Sequence, residues 1–163
     1  MAEFIVSRLK MRRGLALDVG CGDGELAVEI ARRTGLRITC LAPQPETVAR
    51  DRRRIEAAGT CAERLSVHVA RLDKLAYPTS TANLIFCGDE LTTGLAGRSL
   101  AEMFRVLSPN GVAVIGQGLD VRGEKLTPER LRGWLKAAGI TTYKIVEAHG
   151  LWACITKPRP EGA

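Results

Sequence analysis

Short apolar runs separated by segments of helical period dominate this chain, and few folds accept that order. LALDV (15–19), ITCLA (38–42), ANLIFC (82–87) and GVAVIGQ (111–117) have the length and near-continuous hydrophobicity of strands covered on both faces. LSVHVA (65–70) alternates instead, which places its strand near a sheet edge because His68 must face water. Leu26 and Ile30, with the small Ala27 and Ala31, mark the inner side of a helix that ends near Gly35. A second helix starts at Pro45, a favoured first-turn position, and stops at Gly59.

Leu100, Met103, Phe104 and Leu107 fall at i, i+3, i+4 and i+7, the spacing of an amphipathic helix. SPNG (108–111) is expected to turn the chain into the fifth strand. Thr127-Pro128-Glu129 reads as a cap followed by a first-turn proline, on a helix that carries Leu131, Trp134, Leu135 and Ala138 inward and closes at Gly139. TTYKIVEA and LWACITK flank His149-Gly150 and read as an antiparallel hairpin. Five β-α units and a hairpin predict the α/β class: a Rossmann-like, doubly wound, mostly parallel sheet of seven strands. Ligands of such sheets bind beyond the carboxyl ends of the strands, at the switch point of the topology.

A length of 163 residues suits one domain, expected over 1–157, with 158–163 as a tail or linker into a longer chain. The net charge of +6 invites a nucleic-acid partner, but its surplus sits in RLKMRR (8–13) and RDRRR (50–54). The second cluster lies on a helix whose apolar side is Val48, Ile55 and Ala58, so its arginines are expected on a solvated face. Only 4% of residues are aromatic, leaving few platforms for stacking bases, which argues against nucleic acid. No apolar stretch approaches the roughly 20 residues that cross a bilayer, and the N-terminus lacks the polarity of a secretory signal. The five cysteines form no C-x-x-C pair and have two histidines to help them, which argues against a structural zinc. Cys40, Cys87 and Cys154 read as core residues of a protein in a reducing compartment, the cytoplasm being the expected location.

The most specific stretch is Asp18-Val19-Gly20-Cys21-Gly22-Asp23-Gly24, between the first strand and its helix. Three glycines permit a tight turn and let a ligand approach bare backbone, with free helix N–H groups behind them. A dinucleotide fingerprint needs a small residue at position 25, where this chain has Glu25, so NAD and FAD are disfavoured. The spacing D-x-G-x-G-x-G resembles instead the S-adenosylmethionine turn of class I methyltransferases. EIARRTGLRITCLAPQPETVARDR is similar to that family's second unit, LAYP (75–78) to its segment before strand four, and RVLSPNGVAVIGQ to its approach to strand five. ANLIFC and PNGVAVIGQ resemble more closely the methyltransferase-like domains fused to β-propeller repeats in large bacterial proteins.

The resemblance implies S-adenosyl-L-methionine as cofactor and methyl transfer to a small-molecule or protein acceptor that the motifs do not specify. It places Asp18 near the cofactor's methionine amino group, where the residue type alone also permits a capping role. Gly20, Cys21, Gly22 and Gly24 would wrap the methionine portion. Ala42 and Pro43 would face the ribose, Leu72 and Asp73 the adenine, and Cys87 and Gly88 the methionine end and reactive methyl.

Three positions depart from the family's pattern. The ribose carboxylate is replaced by Ala42, with Gln44 as a neutral substitute. The adenine acid aligns with Arg71, which only donates, so Asp73 is the expected replacement. The aspartate usual early in strand four is Asn83. A hydrogen bond to a charged group contributes about 1.5–3 kcal/mol, so losing the ribose pair weakens a site about ten- to a hundredfold without abolishing it. Only 14 residues precede the first strand, so an open pocket is expected unless another domain or a second subunit of a homodimer covers it. Asp89 and Glu90 are the only acid/base candidates at its rim, and solvated loop carboxylates are the better reading of both. Methyl transfer from a sulfonium often needs only alignment, so no catalytic residue is assigned. A catalytically degenerate module of a larger protein is the alternative that these departures leave open.

Overall fold

The computed structural model describes residues 1–91, 97–121 and 123–162. In chain order they form α1 (Ala2–Val6), β1 (Arg13–Val19), α2 (Glu25–Arg33), β2 (Gly35–Ala42), α3 (Pro45–Glu56), β3 (Leu65–Val69), β4 (Ala82–Phe86), α4 (Leu100–Val106), β5 (Leu107–Gly118), α5 (Pro128–Ala137), β6 (Tyr143–Glu147) and β7 (Gly150–Thr156). The seven strands lie in the order β3-β2-β1-β4-β5-β7-β6. The first five run parallel, and β7 is antiparallel to both β5 and β6. The order reverses between β2-β1 and β1-β4, so the switch point falls at the carboxyl ends of β1 and β4.

Helices cover both faces, which explains the near-continuous apolar runs. Alternate residues of β1 divide between the two sides: Ala16 packs with α1, α2 and α3 through Ile5, Ile30 and Ile55, while Leu17 and Val19 pack with α4 and α5 through Met103 and Leu135. As expected, β3 is an edge strand and His68 is exposed. All five cysteines are buried.

Three local details differ from expectation. The third crossover carries no helix: after β3 the chain returns to β4 as a loop whose Leu72 and Leu75 pack into the second core. Glu102 and Arg105 of α4 pin that loop. The Glu102 carboxylate accepts from Leu75 N (2.9 Å), while Arg105 donates to the carbonyls of Leu75 (3.0 Å) and Tyr77 (2.9 Å). SPNG, expected as a turn, lies within β5 as an irregularity. Asn110 adopts φ +62°, and its N–H donates to the Lys157 carbonyl beyond β7 (2.8 Å). The segment before β1, with no expected structure, contains α1, whose Ala2, Ile5 and Val6 are buried against the first core.

Candidate functional site

The first helix start is built around its glycines. Gly20 (φ +101°) and Gly22 (φ +60°) hold the left-handed backbone that turns the chain sharply at the end of β1. Gly20 N donates to the Leu41 carbonyl (3.0 Å), so the turn is tied to the end of β2. Gly24 is the N-cap of α2 with no side-chain cap, and Asp23 supplies one by accepting from Glu25 N (3.0 Å).

Asp18 is fully buried, and its Oδ1 accepts from Gly88 N (2.7 Å). Its carboxylate therefore orients the turn after β4 against the turn after β1. The same two turns meet again where Asp89 N donates to the Gly20 carbonyl (2.9 Å). A Cβ on Gly88 would come within 2.8 Å of the Cys21 carbonyl oxygen, so this close approach requires glycine.

From the other side the turn is strapped to α3. Cys21 Sγ donates to Asp51 Oδ2 (3.1 Å), and Arg50 Nε donates to Asp51 Oδ1 (3.1 Å). Arg50 also donates to the Gly22 carbonyl (3.0 Å) and Arg54 to the Asp23 carbonyl (3.3 Å). The arginines of RDRRR are exposed as expected, yet they brace backbone. Asp51 within that run is fully buried. The sequence carried a signal for it: Asp51 falls on the inward stripe of Val48 and Ile55, at i+3 and i+7. Contact with Cys40, burial and the nearby Asp18 hold the Cys21 thiol far above its ordinary range, so it stays protonated and serves as a donor.

These turns enclose one side of a cleft of about 940 Å³ at the carboxyl edge of β1, β2 and β4. Gly20, Cys21, Gly22 and Asp23 line it, facing Ala42, Pro43 and Gln44 after β2 and Gly88 and Asp89 after β4. The residues ahead of β1, expected to leave the cleft uncovered, supply Met1, Ala2 and Glu3 to one end of it. Of the other expected contacts, Asp18 is buried beneath the cleft and Gly24 caps α2. Leu72 and Cys87 are buried in the second core. Asp73 pairs with Arg71 in a two-pronged, exposed ion pair (3.0 and 2.8 Å). Asn83 is structural: its Oδ1 accepts from Leu15 N (3.2 Å), and its Nδ2 approaches Ser108 Oγ (3.4 Å). Glu90 lies outside the residues with described side chains.

Asp89 does not stand free in solvent. It forms an ion pair with Arg98, whose side chain is only 3% exposed and whose Nε donates to the Val19 carbonyl (2.8 Å). A Cβ on Gly20 would meet both Asp89 carboxylate oxygens at 2.6 Å. The pair thus rests against the bare backbone of Gly20, a relationship between residues 20, 89 and 98 that spacing could not reveal.

The residues fit a nucleoside with an amino-acid tail in part. The glycine turn and the cleft's volume suit it, while the strand-two end offers Ala42 and Gln44 in place of a carboxylate. Comparison with known proteins agrees. The model of the family described as "Methyltransferase domain" matches residues 16–111. A curated C-methyltransferase of ubiquinone and menaquinone biosynthesis from Geotalea daltonii is 31% identical over 117 residues. That alignment takes in 69% of this chain and 49% of the relative, so the chain spans about half of the relative's length. A crystal structure from Methanococcus maripaludis, assigned as an S-adenosyl-L-methionine-dependent methyltransferase, superposes with a TM-score of 0.81 at 21% identity, covering 99% of this chain and 85% of that one. A SAM-dependent methyltransferase from Aquifex aeolicus gives 0.71 at 21% identity, covering 94% and 89%. The match over more than half the chain, on the seven-stranded sheet found here, identifies it as a member of the methyltransferase-domain family, whose methyl donor is S-adenosylmethionine.

Proposed function

We propose that this domain binds S-adenosylmethionine in the cleft at the carboxyl edge of β1, β2 and β4 and directs its methyl to a small-molecule acceptor. The observation that carries this reading is the glycine turn, whose Gly20, Cys21 and Gly22 line a cleft of about 940 Å³ at the switch point. In this reading Ala42, Pro43 and Gln44 lie along the ribose, the glycine turn holds the amino-acid end, and Gly88 leaves room beside the reactive centre. When bound, the cofactor supplies a sulfonium-activated methyl for in-line displacement. The chain's own contribution is to hold the donor and leave the acceptor a single line of approach. Its ribose contacts are neutral, so affinity is expected to be weak.

Ala42, in place of a ribose carboxylate, favours a second reading, a methyltransferase-fold module that serves a larger protein without turnover. Neighbouring β-propeller repeats would suit that role. Calorimetric titration with S-adenosylhomocysteine tests the first part: absence of heat at millimolar ligand sinks the cofactor reading. Transfer of a radiolabelled methyl group to small-molecule extracts tests the second: binding without transfer favours the module.

A further inference from the structure

Three charged groups converge where the turns after β1 and β4 meet. Asp18 lies beneath, Asp89 lines the cleft, and Arg98 stands behind Asp89 with its guanidinium held between Val19 O and the Asp89 carboxylate. Taking an arginine and a carboxylate this far from water costs several kcal/mol per ion before their attraction offsets it. A purely structural contact between two turns could be made by neutral groups at lower cost. Asp89 lines the cleft beside Gly20, Gly22 and Gly88, and Arg98 behind it packs with it against the backbone of Gly20.

Glu3, Asp23, Glu25 and Glu29 line the cleft, and the two arginines among its lining residues are already engaged: Arg33 with Glu29, and Arg50 with Asp51 and the Gly22 carbonyl. A carboxylate entering this cleft therefore needs a cation beyond those two, and an ammonium needs an anion that can release its present partner.

We infer that the Asp89–Arg98 ion pair is the recognition element for the amino-acid end of the ligand, resting on the cofactor reading above. On binding, the pair parts. Arg98 takes the ligand's α-carboxylate in the forked geometry that guanidinium and carboxylate share. Asp89 takes the ammonium. Arg98 exchanges one carboxylate for another and Asp89 one cation for another, and no covalent bond changes. The exchange makes the amino-acid tail a requirement for tight binding, and it gives ligand-free protein a self-neutralised turn.

The test compares S-adenosylhomocysteine with its decarboxylated analogue and with 5′-methylthioadenosine, which lacks the whole amino-acid end. The wild type should bind S-adenosylhomocysteine about tenfold or more tighter than either. Arg98→Gln should bring S-adenosylhomocysteine and its decarboxylated analogue within about threefold of each other while 5′-methylthioadenosine keeps its affinity, and Arg98→Lys should restore part of the preference for the carboxylate. The double variant Asp89→Asn/Arg98→Gln removes both charges together and so keeps a folded protein available, verified by circular dichroism; it should bring all three ligands within about threefold. Equal affinities in the wild type, or an unchanged preference in the folded double variant, overturn the inference and leave the cofactor reading intact. If the wild type binds none of the three ligands, both fall together.

Discussion

The thiol of Cys21 donates to the buried carboxylate of Asp51 across 3.1 Å, joining the glycine turn after β1 to the second turn of α3. Through Arg50, the same carboxylate is linked to the Gly22 carbonyl. The turn therefore owes its shape to a helix 30 residues away as well as to its own glycines. A ligand cradle made of backbone cannot be held by side chains of its own, so the holding falls to neighbours.

Asp51→Ala should cost about 1–3 kcal/mol, because it leaves the Cys21 thiol and the Arg50 guanidinium without their shared acceptor. Urea denaturation measures this, and Asp51→Asn should recover part of the loss by keeping an acceptor. S-adenosylhomocysteine affinity should fall in the Ala variant along with stability. A stable Asp51→Ala protein with unaltered binding would show that α3 plays no part in shaping the turn.

Gly20→Ala should be destabilising by about 1–3 kcal/mol, since the residue sits at φ +101° and the new methyl would press on the Asp89 carboxylate. For a chain of this size that lowers the melting temperature by about 2–4 °C per kcal/mol. Gly24→Ala is the control for space. Nothing lies within 4 Å of its added Cβ, so strain at φ +78° is the sole cost, and the loss should be smaller.

The pairing of Glu102 with Arg105, helped by Leu75 N, lowers the Glu102 carboxyl from 4.5 to about 2. The unfolded chain therefore binds more protons than the native state between these values. The stabilisation is complete above pH 4.5 and is lost as pH falls towards 2. Glu102→Gln should be less stable than wild type at pH 6, and the difference should shrink steadily below pH 4.5. A difference that stays constant between pH 6 and pH 2.5 in urea titrations would mean that Glu102 acts through shape and not charge.

Much of this fold could be read in the amino-acid order, and the reasons are local. LALDV and ANLIFC are apolar enough to declare strands covered on both faces, and Thr127-Pro128 announces a helix start that the structure confirms, with Thr127 Oγ1 accepting from Arg130 N. The helix-free return from β3 was not legible, because it is secured by Glu102 and Arg105, far away in the chain. α1 was missed because five residues are too short for a periodic pattern to stand out. At the site, the glycine turn was visible as spacing. The partners that fill and brace it were not: Arg98 reaches Val19 and Asp89 from beyond the next turn, and Asp51 looked like one charge among arginines.

The end of β2 offers the most direct test of where a ribose would lie. Ala42 is 1% exposed and lines the cleft beside Pro43 and Gln44, and its carbonyl is already committed to Ala70 N (2.9 Å). It also belongs to the first core, and in the proposed reading its side chain is the group nearest the ribose. Ala42→Asp should add an acceptor for ribose hydroxyls, a gain of about 1.5–3 kcal/mol less the cost of partly desolvating the new charge. A net tightening of about 1 kcal/mol, roughly fivefold, is expected for S-adenosylhomocysteine. Ala42→Asn should gain less, having no charge, and Ala42→Leu should gain nothing. Because 5′-methylthioadenosine carries the same ribose, Ala42→Asp should tighten it by the same factor, while Arg98→Gln should leave it unmoved. That contrast separates the two ends of the cleft. If Asp and Leu at position 42 behave alike in titrations of both ligands, the strand end does not face a ribose, and the nucleoside must lie elsewhere along the carboxyl edge.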